Sequence, residues 1–240
     1  MKNKATLIKI AGWIAILIAL FFVFTKATEN NSVNAFAQSY SDFRDQQYDT
    51  HIYSYIPVVD ASSETGEENY FTYLAKAVDT KQTNNFRKSN AEQALSSYDS
   101  LNQKAMDTFS ERIGKLDSAT SRLVEAANKI GNDEYRTTAT EVTKYARQIQ
   151  QNYESLRLKY VERFNLQTKL LGELADNGGD IFALGITLKD GGTKIPKIGG
   201  DIKSLIEETD KTSQKMDDLY FSLKGRAGLK DYTNKFTENQ

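Results

Sequence analysis

The chain of 240 residues has no cysteine, two prolines and one histidine. Without cysteine, a disulfide scaffold, a zinc ribbon and a thiol nucleophile are excluded together. With His51 as the only imidazole, His-rich metal sites are excluded and most triad chemistry lacks its base. A net charge of −1 excludes a basic nucleic-acid-binding domain, and 39% hydrophobic residues with balanced charge exclude disorder by composition. Nucleophile elbows, Ser-x-x-Lys, phosphate-cradling glycine loops and His-x-x-x-His pairs are all missing. No residue is assigned a catalytic, cofactor-binding or metal-ligating role, no cofactor is expected, and the protein is read as a non-enzyme.

One long apolar run is present. From Ile10 to Phe24, 14 of 15 residues are apolar, with Gly12 the exception. Ala5 to Thr25 would measure about 31 Å as a helix, close to the hydrocarbon thickness of a bilayer. Lys2, Lys4 and Lys9 precede the core of this run and Lys26 follows it, so the positive-inside rule places the N-terminus inside and residues 28–240 outside. Residues 1–27 therefore read as a membrane anchor, and the cytoplasmic membrane as the location. The alternative is a signal peptide, because Ala35-Phe36-Ala37 before Gln38 fits a small-x-small cleavage site and would release a secreted chain.

The outer part, 28–240, reads as all-α for the most part. Val33, Phe36, Tyr40 and Phe43 recur at helical spacing after Ser32. His51 to Val59 is aromatic and β-branched and reads as extended chain, broken by Pro57, with His51 a surface or packing residue. Thr65-Gly66-Glu67-Glu68 has capping-box spacing ahead of a short helix with Tyr70, Phe71, Leu74, Ala77 and Val78. The polar run Lys81–Lys88 reads as a separator, and Ser89-Asn90-Ala91-Glu92 as the box that opens the next helix.

The longest periodic stretch follows. Met106, Phe109, Ile113, Leu116, Thr120, Leu123, Ala127 and Ile130 alternate steps of three and four. Gly131-Asn132-Asp133 interrupts them, Gly131 being placed for a left-handed C-cap. Tyr135, Ala139, Val142, Ala146, Ile149, Tyr153, Leu156 and Tyr160 then repeat the pattern. Two equal stripes around a short turn predict an elongated antiparallel helical hairpin, packed as a coiled coil, over about 90–176. Folding at Asn132 sets Leu116 against Ile149 and Phe109 against Leu156. Most of the 13 tyrosines and 12 phenylalanines fall on such stripes and read as core.

Residues 177–200 look different. Five of the fourteen glycines lie between Gly185 and Gly200, together with Pro196. Ile186 to Ile195, closing on Asp190-Gly191, reads as a small β-hairpin insert with Ile181, Phe182 and Leu184 before it. Asp176 to Asp180 resembles a calcium loop but lacks the alternating oxygen ligands and the closing glutamate. A final helix over about 201–224 carries Ile202, Leu205, Thr209, Thr212, Met216, Leu219 and Leu223, while Glu207-Glu208 and Asp217-Asp218 read as solvated faces.

The expectation is a single-pass anchored, extracytoplasmic helical protein acting as an interaction or spacer module in the cell envelope. Its partners would be the membrane, through residues 5–25, and other envelope proteins, but not nucleic acid. Long helices flanking an apolar hairpin are similar in architecture to α-helical pore-forming toxins. The alternatives are therefore a secreted protein that inserts residues 181–198 into a membrane, or a ligand-sensing ectodomain.

Overall fold

The computed structural model describes residues 29–52, 54 and 70–228. The anchor segment 5–25, the Pro57 part of the segment read as extended (55–59) and the capping box at Thr65 lie outside the described residues. No helix among the described residues is long and apolar enough to cross a membrane.

Five α-helices make up the described chain. They are α1 (29–52, with residue 54 also helical), α2 (Tyr70–Ala77), α3 (Asn84–Asn128), α4 (Asp133–Asp176) and α5 (Gly185–Ala227), with a 3₁₀ turn at Ile181–Leu184 before α5. At 1.5 Å per residue, α3, α4 and α5 are each about 65 Å long. No intrinsic helix tendency makes helices of that length persist. What holds them is the apolar stripe each one buries.

The α3–α4 hairpin forms in the register that its stripes predict. Phe109, Leu116, Leu123, Val142, Ile149 and Leu156 are all fully buried in one core. Gln150 donates to Asp117 across the pair at 2.6 Å, next to Leu116 and Ile149. The turn differs in detail. The last residue of α3 is Asn128, capped by Lys129 in a right-handed conformation, and Gly131 is not among the left-handed glycines. Asn132 accepts from the Tyr135 amide at 3.1 Å, and Asp133 and Glu134 favour the positive helix start. The short turn needs no left-handed residue because Lys129 and Ile130 donate back to Ala126 and Ala127.

α5 returns along α4, as shown by Lys159–Asp201 at 3.1 Å and Arg226–Glu134 at 2.6 Å. α1 lies in the groove between α3 and α5, antiparallel to both. Asp49 pairs with Arg112 of α3 at 3.5 Å, and Arg44 pairs with Asp217 of α5 at 3.1 Å. Across the diagonal, Tyr160 of α4 donates to the Ser54 carbonyl at 2.7 Å. The result is an up-down-up-down four-helix bundle. The start of α1, the α3–α4 turn and the end of α5 share one end. At the other end α2 and the 3₁₀ turn close a smaller cluster with Ala91, Ala94, Leu171 and Leu174.

Four expectations need correction. Residues 186–195 form no β-hairpin; they are the first turns of α5, so the glycine-rich insert at about 177–200 does not exist as a separate element. Leu184, Leu188, Gly191, Ile195, Ile198 and Ile202 are spaced four and three, so helical periodicity runs through the segment and joins the stripe of the final helix. Packing on α4 thereby overrides the Asp-Gly turn signal. Gly191 lies at this interface, where a β-carbon would meet Leu170 at an ordinary contact distance of 3.9 Å. The final helix consequently begins at Gly185 rather than near 201. α3 starts at Asn84, inside the supposed separator, with Thr83 as its cap. His51, Ile52 and Ser54 are helical, not extended, because this end of α1 is held on α4, with the Tyr153 hydroxyl 3.2 Å from His51 and Tyr160 donating to the Ser54 carbonyl at 2.7 Å.

Candidate functional site

Two polar constellations stand out from the apolar interior, each centred on a buried arginine. The first lies along the seam between α1 and α5. Tyr40, Arg44, Gln47 and His51 recur on α1 at steps of four, three and four, so they share one face. Asp210, Ser213 and Asp217 do the same on α5 in the opposite direction. Arg44, Gln47, Tyr48 and His51 of α1 and Asp210, Ser213, Gln214 and Asp217 of α5 line a cleft of about 430 Å³.

The centre of this seam is Arg44, only 4% exposed. Its guanidinium donates to Asp217 at 3.1 Å and also to Gln47 and Ser213. Gln47 donates in turn to Ser213 at 3.0 Å. Tyr40 donates to the second oxygen of Asp217, and its ring stacks on Tyr220 with centroids 3.6 Å apart. Burial raises the Asp217 carboxyl above its ordinary range, while the Arg44 charge pulls it down. Burial, with the Asp217 charge beside it, also raises the Tyr40 phenol well above 10. Tyr40 therefore remains a hydrogen-bond donor at any ordinary pH.

His51 sits at the far end of the cleft. Its Nδ1 is 3.2 Å from the Tyr153 hydroxyl of α4 and 3.8 Å from the Asp210 carboxylate of α5. Burial lowers its pKa below 6.5 and the Arg44 charge works in the same direction, with Asp210 opposing. The imidazole is thus neutral at pH 7.

The second constellation centres on Arg87, buried at the start of α3. It donates to the Gly179 carbonyl at 2.8 Å, to the Asp79 and Gln82 carbonyls, and to the Asn84 side chain. One side chain thereby ties the α2–α3 turn, α3 and the α4–α5 link together. Gly179 has φ +82°, and a β-carbon there would lie 1.8 Å from the Asn84 carbonyl oxygen. Its amide donates to Leu174 at 2.8 Å, closing the end of α4. The calcium-like Asp176–Asp180 segment is thus a helix terminus docked on α3. No group of His, Asp or Glu able to hold a metal occurs among the described residues.

Chemically, the α1–α5 seam is arranged for recognition and for holding two helices in one register. The Ser213 hydroxyl is engaged by Arg44 and Gln47. Sequence reading placed Asp217 on a solvated face and did not find Arg44 or Gln47. A signal was present: polar residues on α1 repeat at the helical period beside Tyr40 and Phe43. For Arg87 no comparable signal exists, since its acceptors are backbone carbonyls brought in by the fold. No protein-family model matches this chain, and no curated protein or solved structure matches it.

Proposed function

We propose that the protein is a single-pass membrane-anchored helical module that holds a rigid four-helix bundle on the outer face of the cytoplasmic membrane. Residues 5–25 would span the bilayer with the N-terminus inside, and the bundle would act as a non-catalytic spacer or as an interaction surface for other envelope proteins. The observation that carries this reading is the position of the start of α1. It lies at the same end as the α3–α4 turn and the end of α5, so a membrane segment leading into it would attach the bundle by one end only. The opposite end, with α2 and the 3₁₀ turn, would then stand about 65 Å away. Phe182 is 81% exposed at that far end.

A sensing ectodomain is the second reading, favoured by the polar cleft between α1 and α5. A membrane-inserting role for residues 181–198 loses the hairpin on which it rested, because a 3₁₀ turn and the first turns of α5 occupy the segment.

The test is topological. The protein should remain in the membrane fraction after alkaline carbonate washing, and protease added outside should digest nearly all of it. Recovery of a soluble chain beginning at Gln38 would replace the anchored reading with a secreted one.

A further inference from the structure

His51 is the only side chain of the protein whose ordinary pKa lies near neutrality, and the fold places it where three helices meet. Tyr153, fully buried, directs its hydroxyl at Nδ1 from α4. Asp210 faces the ring from α5, Arg44 lies two turns back on the same face of α1, and Asp217 lies beyond Arg44. On the α3 side the nearby charges, Asp49 and Arg112, are paired with each other at 3.5 Å.

We propose that His51 is an acid-operated latch: neutral, it seats the end of α1 on α4 and α5, and proton uptake loosens that end and opens the α1–α5 cleft. The proposal goes beyond the anchored-module reading and rests on the bundle alone, so it stands or falls independently of membrane topology.

The chemistry follows from what one proton changes. In the neutral ring with hydrogen on Nε2, Nδ1 accepts from the Tyr153 hydroxyl. Once protonated, both ring nitrogens are donors, and the hydroxyl must turn its own hydrogen elsewhere. The new positive charge is half-buried and shares the cleft with Arg44. Its only opposing partner in contact range on α5 is Asp210, whose side chain is 58% exposed and therefore screened by water. Burial and Arg44 both favour the neutral ring, which is the direction of its pKa shift. A histidine with a depressed folded pKa takes up its proton more readily in the unfolded chain. Stability is therefore full above the ordinary value of 6.5 and is lost as pH falls from there through the folded pKa. Asp217 also titrates in acid but with the opposite sign, because its folded pKa is raised. A variant of His51 is therefore needed to assign the response.

The full chain in detergent micelles, labelled at histidine, gives a single imidazole signal whose pKa should fall below 6.5. Between pH 7.5 and 5.5, amide hydrogen exchange over residues 44–52, corrected for its intrinsic pH dependence, should speed up by about tenfold at most, the limit for one proton over one pH unit. His51→Gln should abolish this excess. Asp210→Asn should move its midpoint to lower pH, because the Asp210 charge that favours the protonated ring is gone. An imidazole pKa at or above 6.5, or an equal acid response in His51→Gln, would overturn the latch. Should His51→Gln fail to fold, a midpoint that stays put or rises in Asp210→Asn would overturn it equally.

Discussion

The bundle is closed by two seams of opposite character. Between α3 and α4 the centre of the contact is dry: Leu116, Leu123, Val142, Ile149 and Leu156 are fully buried, and the polar Gln150–Asp117 bridge lies on the exposed flank. Between α1 and α5 the same helical period presents Arg44, Gln47, Ser213 and Asp217, joined in one hydrogen-bond network through Arg44. An apolar seam gains from area and tolerates small shifts. A buried polar seam adds little net stability but penalises every arrangement that leaves a charge unpaired. α3 and α4 thus supply cohesion, and α1 and α5 supply register.

Removing one partner from the polar seam should have the largest effect. Arg44→Ala leaves Asp217 buried without its counter-charge and should cost about 3–5 kcal/mol in chemical denaturation. Replacing both as Arg44→Met with Asp217→Leu should recover most of that loss, and no recovery would show that the seam is more than an ion pair. In the dry seam, Leu116→Ala should cost about 2–5 kcal/mol through lost transfer energy and the cavity left behind. Gly179→Ala should cost about 1–3 kcal/mol or more, since the left-handed backbone and the Asn84 carbonyl both oppose a β-carbon. At the small end, Ser118→Glu on the exposed face of α3 should stay within about 0.5 kcal/mol. Equal losses for Leu116→Ala and Ser118→Glu would erase the distinction between seam and surface.

The helices on the stripes were legible because burial acts at every third or fourth residue and leaves a period in the sequence. Met106 to Ile130 and Tyr135 to Tyr160 show it without interruption, and the register of the hairpin followed from them. The segment 186–195 misled because two signals compete there. Asp190-Gly191 favours a tight turn, whereas Leu184, Leu188, Ile195 and Ile198 continue a helix, and only the presence of α4 decides between them. Asp190 also gains a partner in Lys194 one helical turn on, at 3.2 Å, which a hairpin would have kept apart. The candidate site was harder to read. Arg44 and Asp217 are 173 positions apart, and each alone resembles a solvated charge. Their pairing is a property of the bundle, not of either helix.

That separation has a consequence in time. The chain is made from its N-terminus, so Arg44 emerges long before Asp217. At about 5–20 residues per second the interval is roughly 9–35 seconds. α3 and α4 can zip together within it, because their contacts begin across a short turn. α1 can meet them through Asp49–Arg112 and Tyr160–Ser54, but its Tyr40 and Arg44 side lacks its partners until α5 arrives. The newborn protein therefore passes through a stage with a finished hairpin and a waiting first helix. During that stage Asp217 and Ser213 are not yet there to receive the Arg44 guanidinium, nor Tyr220 to stack on the Tyr40 ring.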